Sequence, residues 1–336
     1  MHLPCPLYPL RFEPYLKEVL WGGQRLPRFK GLDATDPAAL YGESWEVAQL
    51  PAHCSVVAEG SLKGYRLDRL ISLYGPVFMG EKVYAQYPGS FPLLIKYIDA
   101  QQDLSIQVHP DDRLAQQLHG PSAKGKTEMW YIIDAAPGAS LYCGLKSPIT
   151  EQEYRRRIAE GTIEEVLIRH EVKAGDVFFL PPGRIHSIGK GCLLAEIQQS
   201  SDLTYRIYDF MRKDKDGNYR ELHTDYAAKA IDYSIPTSGY QLEYEIFEGR
   251  FRSPLVGCEY FSVALLSMTQ GCQTVDLSFR DSFTILQCVE GEGVLRDLQG
   301  YSTNLYRGDT LLLPAQIRGF VLETQGGLKL LDTYVP

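Results

Sequence analysis

The chain has 336 residues and a formal net charge of -8, so it offers no basic footprint for nucleic acid or for an anionic membrane. No apolar run approaches the roughly 20 residues of a membrane span, and residues 1–6 lack the charged start and apolar centre of a signal peptide, which points to a cytoplasmic protein. Seven cysteines, odd in number, scattered and never spaced C-x-x-C, read as reduced thiols buried as small apolar residues rather than as a disulfide framework or a cysteine metal site.

A chain of this length buries about three quarters of its unfolded surface, enough for one large or two moderate cores. Short runs alternating apolar and polar residues, separated by Gly and Pro, make it strand-rich. The first strongly apolar strand, 93–98, carries Lys96 inside it, and a buried ammonium is costly unless it meets an anion. Next, Ile106 and Val108 alternate with Gln107 and His109, so period two sets the apolar pair on one face and Gln107 and His109 on the other. Residues 111–119 read as a short helix whose acidic start suits the positive end of the dipole. Glu128 opens a strand over 128–133 and brings a carboxylate, with Lys126 two residues earlier so that extended backbone projects both the same way.

Thr150 and Glu153 form a capping box for a polar helix that runs to about residue 160 and ends at Gly161, with a further helical turn over 162–167. The most patterned segment spans 175–186. Gly175 and Gly183 supply backbone freedom, Pro181 stiffens the turn, and His186 on the next strand is aimed inward at a fixed orientation. A brief helix is expected over 225–230. After the punctuation at 236–239, a second unit has strands at 260–267, 283–290 and 293–296 around a turn at 290–293. It repeats the patterned segment in eroded form at 308–314, with Gly319 or its neighbour where the histidine would stand.

Two imidazoles, one carboxylate and one amide oxygen suit Zn²⁺, with contacts of roughly 2.0–2.2 Å and room for water or substrate. The ligand set reached in this way is Gln107, His109, Glu128 and His186. His2, His53, His119, His170 and His223 carry no comparable pattern and read as surface or core residues.

Six segments, in order, resemble the cupin fold and, more closely, the type I mannose-6-phosphate isomerases (phosphomannose isomerases) in their short bacterial form. They are Trp21-Gly22-Gly23, Tyr41-Gly42-Glu43-Ser44-Trp45-Glu46-Val47, Pro92-Leu93-Leu94-Ile95-Lys96, Ser105-Ile106-Gln107-Val108-His109-Pro110-Asp111-Asp112, Gly125-Lys126-Thr127-Glu128-Met129-Trp130-Tyr131 and Asp202-Leu203-Thr204-Tyr205-Arg206-Ile207-Tyr208-Asp209. The resemblance implies a mainly β protein with two cupin-type jelly-roll barrels and a few short helices in the N-terminal half. A catalytic metal-binding unit would cover 1–238, and a degenerate second unit without metal 239–336. It implies one Zn²⁺ per chain on the same four ligands, a catalytic arginine at Arg206 and an acidic partner at Asp202. Longer members carry a histidine before the lysine that matches Lys126; this chain has Gly125 there, so that histidine's role is not carried over.

The implied reaction interconverts mannose 6-phosphate and fructose 6-phosphate through an enediol, which needs a proton moved between adjacent carbons and a stabilised oxygen pair. Lys126 and Asp202 share the role of acid or base. Asp202 could alternatively orient Arg206, whose permanent charge and forked donors suit an enediolate oxygen or a phosphate. Lys96 and Ser105 are candidates for the substrate phosphate, and Glu43 and Trp45 for the pocket wall. The expected partner is a small sugar phosphate, and the chain would act as a monomer or homodimer. Two rivals stay open: an Fe(II)-dependent cupin dioxygenase on the same two-histidine, one-carboxylate set, and a sugar-phosphate-binding cupin without turnover.

Overall fold

The strand Cys192–Gln199 is buried at every position, and so is its neighbour Leu93–Asp99. A strand covered on both faces reads as a continuous apolar run rather than as an alternation, and the computed structural model, which describes residues 5–32, 36, 39–214, 216–234, 241–242 and 250–336, shows why. The two strands lie in a seven-stranded sheet ordered Gln241–Leu242, Val177–Leu180, Glu128–Ala135, Cys192–Gln199, Leu93–Asp99, Tyr41–Val47 and Tyr15–Gly23. One face packs on a five-stranded sheet ordered Leu167–Glu171, Ser140–Leu145, His186–Ser187, Ile106–Val108 and Tyr205–Tyr208. Trp130, Ile98 and Leu194 from the first sheet meet Leu141, Cys143 and Ile188 from the second in a shared core.

The other face packs against the C-terminal unit. Tyr97, Ile95 and Ile197 join one apolar cluster with Phe283, Ile285, Leu312 and Leu331, and Phe91 and Phe283 meet with ring centroids 4.6 Å apart. The N-terminal strand Leu10–Arg11 pairs antiparallel with Thr310–Leu313, so the start of the chain adds an edge to the sheet of the C-terminal unit. That sheet has nine strands. The architecture is mainly β, as expected; the division expected at 238/239 and its punctuation at 236–239 fall outside the described residues.

Three expectations need correction. The turn expected at 290–293 does not exist: Thr284–Asp297 is one long strand, with its register against Leu328–Tyr334 shifting between Cys288 and Glu290. Gly291 has φ +78°, and a Cβ there would lie 2.0 Å from the Gly327 carbonyl oxygen, so the glycines mark a close approach inside a strand rather than a reversal. A helical stretch in 67–86 also went unforeseen. Leu67, Leu70, Ile71 and Tyr74 share one buried face of the helix Leu67–Tyr74 at the spacing of an amphipathic helix. The cysteines are all free, but Cys272 is exposed and Cys5 and Cys258 are half-buried, so the expectation of buried thiols holds for Cys54, Cys143, Cys192 and Cys288.

The helices Asp112–His119, Glu151–Glu160 and Thr224–Ala230 lie where expected, with a 3-10 turn at Ile163–Val166, whereas the short helix Arg25–Phe29 was also unforeseen. Asp111 caps the first through Leu114 N–H at 2.7 Å. Thr150 caps the second through Glu153 N–H at 3.1 Å. The reciprocal half of the expected box is replaced, because the Glu153 carboxylate accepts from Arg156 and Arg157 instead.

Candidate metal centre and cavity

Three antiparallel strands bring the cluster together. His186 lies directly across from Gln107, and Gln107 across from Arg206, so the two sequence motifs and the arginine segment become lateral neighbours in the five-stranded sheet. Glu128 reaches them from the facing sheet, at the start of its strand. Gly183, at φ +84°, turns the chain after Pro181 and donates its N–H to the His109 carbonyl at 3.0 Å, tying the two histidine segments directly.

His109, Glu128 and His186 are all buried, and their ligand atoms lie within 4.8 Å of one another. His186 Nε2 is 3.1 Å and His109 Nε2 3.6 Å from Glu128 Oε1. The other ring nitrogens settle the protonation pattern. His109 Nδ1 faces the Leu203 carbonyl at 2.9 Å and His186 Nδ1 the Arg184 carbonyl at 2.9 Å, so each Nδ1–H donates outward. Both Nε2 lone pairs therefore point inward at a carboxylate that also carries only lone pairs. Neither oxygen of Glu128 accepts a hydrogen bond of normal geometry, although both are fully buried. Facing acceptors without protons between them are repulsive unless a cation sits among them, and this donor set fits a divalent metal.

Burial first, and the Lys126 charge second, push His109 down to about 3, which keeps its imidazole neutral. Burial opposes ionisation of Glu128, but opposing causes, the Lys126 ammonium largest among them, hold the carboxyl well below its usual range. Lys126 Nζ lies 2.7 Å from Glu128 Oε2 and 3.2 Å from His109 Nε2. The Gln107 side-chain amide points at the same place, 3.2 Å from His186 Nε2. A half-turn of that amide exchanges its oxygen and nitrogen, and with the oxygen inward it becomes a fourth donor.

Above the cluster opens a polar cavity of about 280 Å³, whose lining includes Gln107, Lys126, Ser105, Asp202 and Arg206. The structure thus brings nearly all the expected site residues to one place. Lys96 and Glu43 also border the cavity, but Lys96 already pairs with Glu196 at 2.8 Å and approaches Glu43 at 3.8 Å. Burial would lower the Lys96 ammonium's pKa, yet those carboxylates raise it above the ordinary lysine value. Trp45 stands behind the wall in a small core cluster with Ala48 and Leu94, and holds Glu43 Oε2 with its indole N–H at 2.6 Å. The nearby indole that borders the cavity is Trp21.

Asp202 is exposed and forms no ion pair with Arg206. The expected partnership gives way because the Arg206 guanidinium turns to the Glu221 carbonyl, which it meets at 2.7 Å. His223, assigned from sequence to surface or core, accepts the Arg206 backbone N–H on Nδ1 at 3.1 Å. Its isolation in the sequence concealed that contact. Arg220 and Lys17, which also border the cavity, were missed for the same reason. At Gly125, a Cβ would lie 2.5 Å from the backbone of Asp111 and Asp112, so no side chain fits at this position.

Comparisons with known proteins point to one family. Residues 10–130 match the family model for the phosphomannose isomerase type I catalytic domain, and residues 253–331 that for the mannose-6-phosphate isomerase cupin domain. The chain is 38% identical to mannose-6-phosphate isomerase ManA of Bacillus subtilis, over 94% of this chain and 96% of that one. It is 34% identical to the mannose-6-phosphate isomerase of Streptococcus mutans, over 97% and 98% of the two chains. A crystal structure of the mannose 6-phosphate isomerase from Bacillus subtilis superposes with a TM-score of 0.85 at 34% identity, covering 97% of this chain and 99% of that one.

Proposed function

This chain belongs to the type I phosphomannose isomerase family, and on that premise we propose that it interconverts mannose 6-phosphate and fructose 6-phosphate by proton transfer through an enediol. One zinc ion per chain would be held by Gln107, His109, Glu128 and His186. The observation that carries this reading is the buried set of inward-facing lone pairs on His109, Glu128 and His186 with Lys126 beside them. When bound there, zinc supplies redox-silent polarisation of sugar oxygens.

The chain's own residues divide the rest of the work. Lys126 borders the cavity floor at the metal end and is positioned to hold or deliver a proton at a sugar carbon or oxygen. Asp202, at the exposed rim, is the alternative group. Arg206 presents fixed charge to the oxygens on which negative charge develops. Ser105 and Lys96 line the same cavity and are retained as polar contacts for the substrate. The second unit, which lacks any histidine, would stabilise the first through their shared core rather than bind metal.

An iron-dependent oxygenase is disfavoured by the Gln107 amide and by an ammonium beside the cluster, and a non-catalytic role by the presence of Lys126 and Arg206 together. Among the described residues no helix is long and apolar enough to cross a membrane; the chain would act in the cytoplasm, as a monomer or homodimer. The test is a coupled assay of mannose 6-phosphate conversion before chelation, after it, and after zinc is returned. No turnover in the zinc-loaded protein would defeat the proposal.

A further inference from the structure

The lysines and arginines around the cavity differ in how their charges are met. Lys17 approaches Glu43 at 3.7 Å, Lys96 meets Glu196 at 2.8 Å and Lys126 meets Glu128 at 2.7 Å. On the arginine side, two guanidiniums, those of Arg212 and Arg220, share a single buried carboxylate, Asp209, with Arg206 nearby. Arg212 Nη2 and Arg220 Nη1 reach Asp209 Oδ1 at 2.5 and 3.2 Å, whereas Arg206 has no carboxylate within ion-pair reach and its buried Nε has no partner. Neighbouring Arg220 and Arg212, together with burial as the largest cause, lower the Arg206 pKa.

Arg212 is turned inward and fully engaged. It donates to the Asp209 carbonyl, to Asp209 Oδ1 and to the Asp103 carbonyl. Its return to Asp209 requires Phe210 and Met211 to adopt φ +54° and +53°, a left-handed conformation that is strained for two consecutive side-chain-bearing residues. Arg220 makes one ion pair, to Asp209, and borders the cavity beside Arg206. The carboxylate thus holds Arg220 through Nη1, and the side chain, 28% exposed, borders the cavity. Arg212 and Arg220 share one carboxylate oxygen and Arg206 beside them has no carboxylate partner, so this side of the cavity carries excess fixed positive charge on forked donors, which suits a phosphate better than lysines that each meet a carboxylate of their own.

We infer that Arg220 receives the phosphate dianion of the substrate and so sets the preference for a phosphorylated sugar, with Asp209 as its anchor. The inference rests on the isomerase reading for the identity of the sugar, but not for the anion site itself. The experiment compares zinc-loaded wild type with Arg220→Met and Arg220→Gln, measuring steady-state kinetics with mannose 6-phosphate and, by calorimetry, the Kd of inorganic phosphate. The expected result for Arg220→Met is a rise of about tenfold to a hundredfold in both KM and phosphate Kd, as for loss of a charged hydrogen bond, with a smaller fall in kcat. Arg220→Gln keeps a donor for Asp209 and tests the same loss of charge should the methionine variant fail to fold; its phosphate Kd should rise at least several-fold. An unchanged phosphate Kd in either folded variant would overturn the inference, as would a raised KM with phosphate Kd unaltered. If wild type binds phosphate but shows no turnover, the isomerase reading fails while the Kd comparison still decides the role of Arg220.

Discussion

Lys126 places its ammonium 2.7 Å from Glu128 Oε2, with both side chains buried. An ammonium so close to a carboxylate that is also expected to ligate metal couples proton transfer to the metal centre. Replacing Lys126 with Met should lower kcat by about a hundredfold to ten-thousandfold, the range for loss of a general acid or base, with zinc content maintained. Stopped assays of kcat beside elemental analysis check both parts. A kcat near wild type would move the proton-transfer role to Asp202.

Ligand removal opens the cluster. His186→Ala and Glu128→Ala should each lose bound zinc and turnover together, because the remaining donors no longer enclose the ion. Elemental analysis after gel filtration reads this directly; full zinc occupancy in either variant would show that the residue is not a ligand.

Arg206 lies outside the cluster, so its loss should separate binding of metal from catalysis. Arg206→Ala is expected to retain zinc while turnover falls by about a hundredfold to a thousandfold, the cost of one preorganised donor to a developing oxyanion. Near-normal rates would reduce Arg206 to a structural contact with Glu221.

Acid should weaken the metal-stripped protein through His109. Below about pH 6.5 the unfolded chain takes a proton on this imidazole that the folded chain refuses until about pH 3, so stability falls with pH across that window, by up to about 1.4 kcal/mol per pH unit. Glu128, whose folded carboxyl is held below its unfolded value, adds a loss of the same sign at lower pH. Urea midpoints of the chelated protein at pH 7 and pH 5 measure the slope, and His109→Gln should flatten it. Equal slopes in the two proteins would contradict the assignment of a buried neutral His109.

The strands of the first unit and the segments that carry its candidate ligands could be read from sequence because local rules govern them. Period two placed Gln107 beside His109, and the glycine-proline turn placed His186. Residues whose role depends on distant backbone gave no local signal. The charges of Lys17 and Arg220 look like those of any surface residue until the sheet brings them to the cavity. Lys96 was recognisable as a buried cation needing an anion, but its anion is Glu196, a cross-strand neighbour a hundred residues away in the chain. Glycines misled once: at 290–293 they serve close strand contact, which sequence cannot tell from a turn. The departure at Gly125 was visible, and the backbone of Asp111 packed against it supplies the reason.

The claim on which the account depends is that four side chains from three separate segments share one ion. Anomalous diffraction at the zinc edge from crystals of the zinc-loaded protein tests it most directly. The account predicts one peak per chain, roughly 2.0–2.2 Å from His109 Nε2, His186 Nε2, a Glu128 oxygen and Gln107 Oε1. A peak bound elsewhere, or none at this cluster, would contradict it.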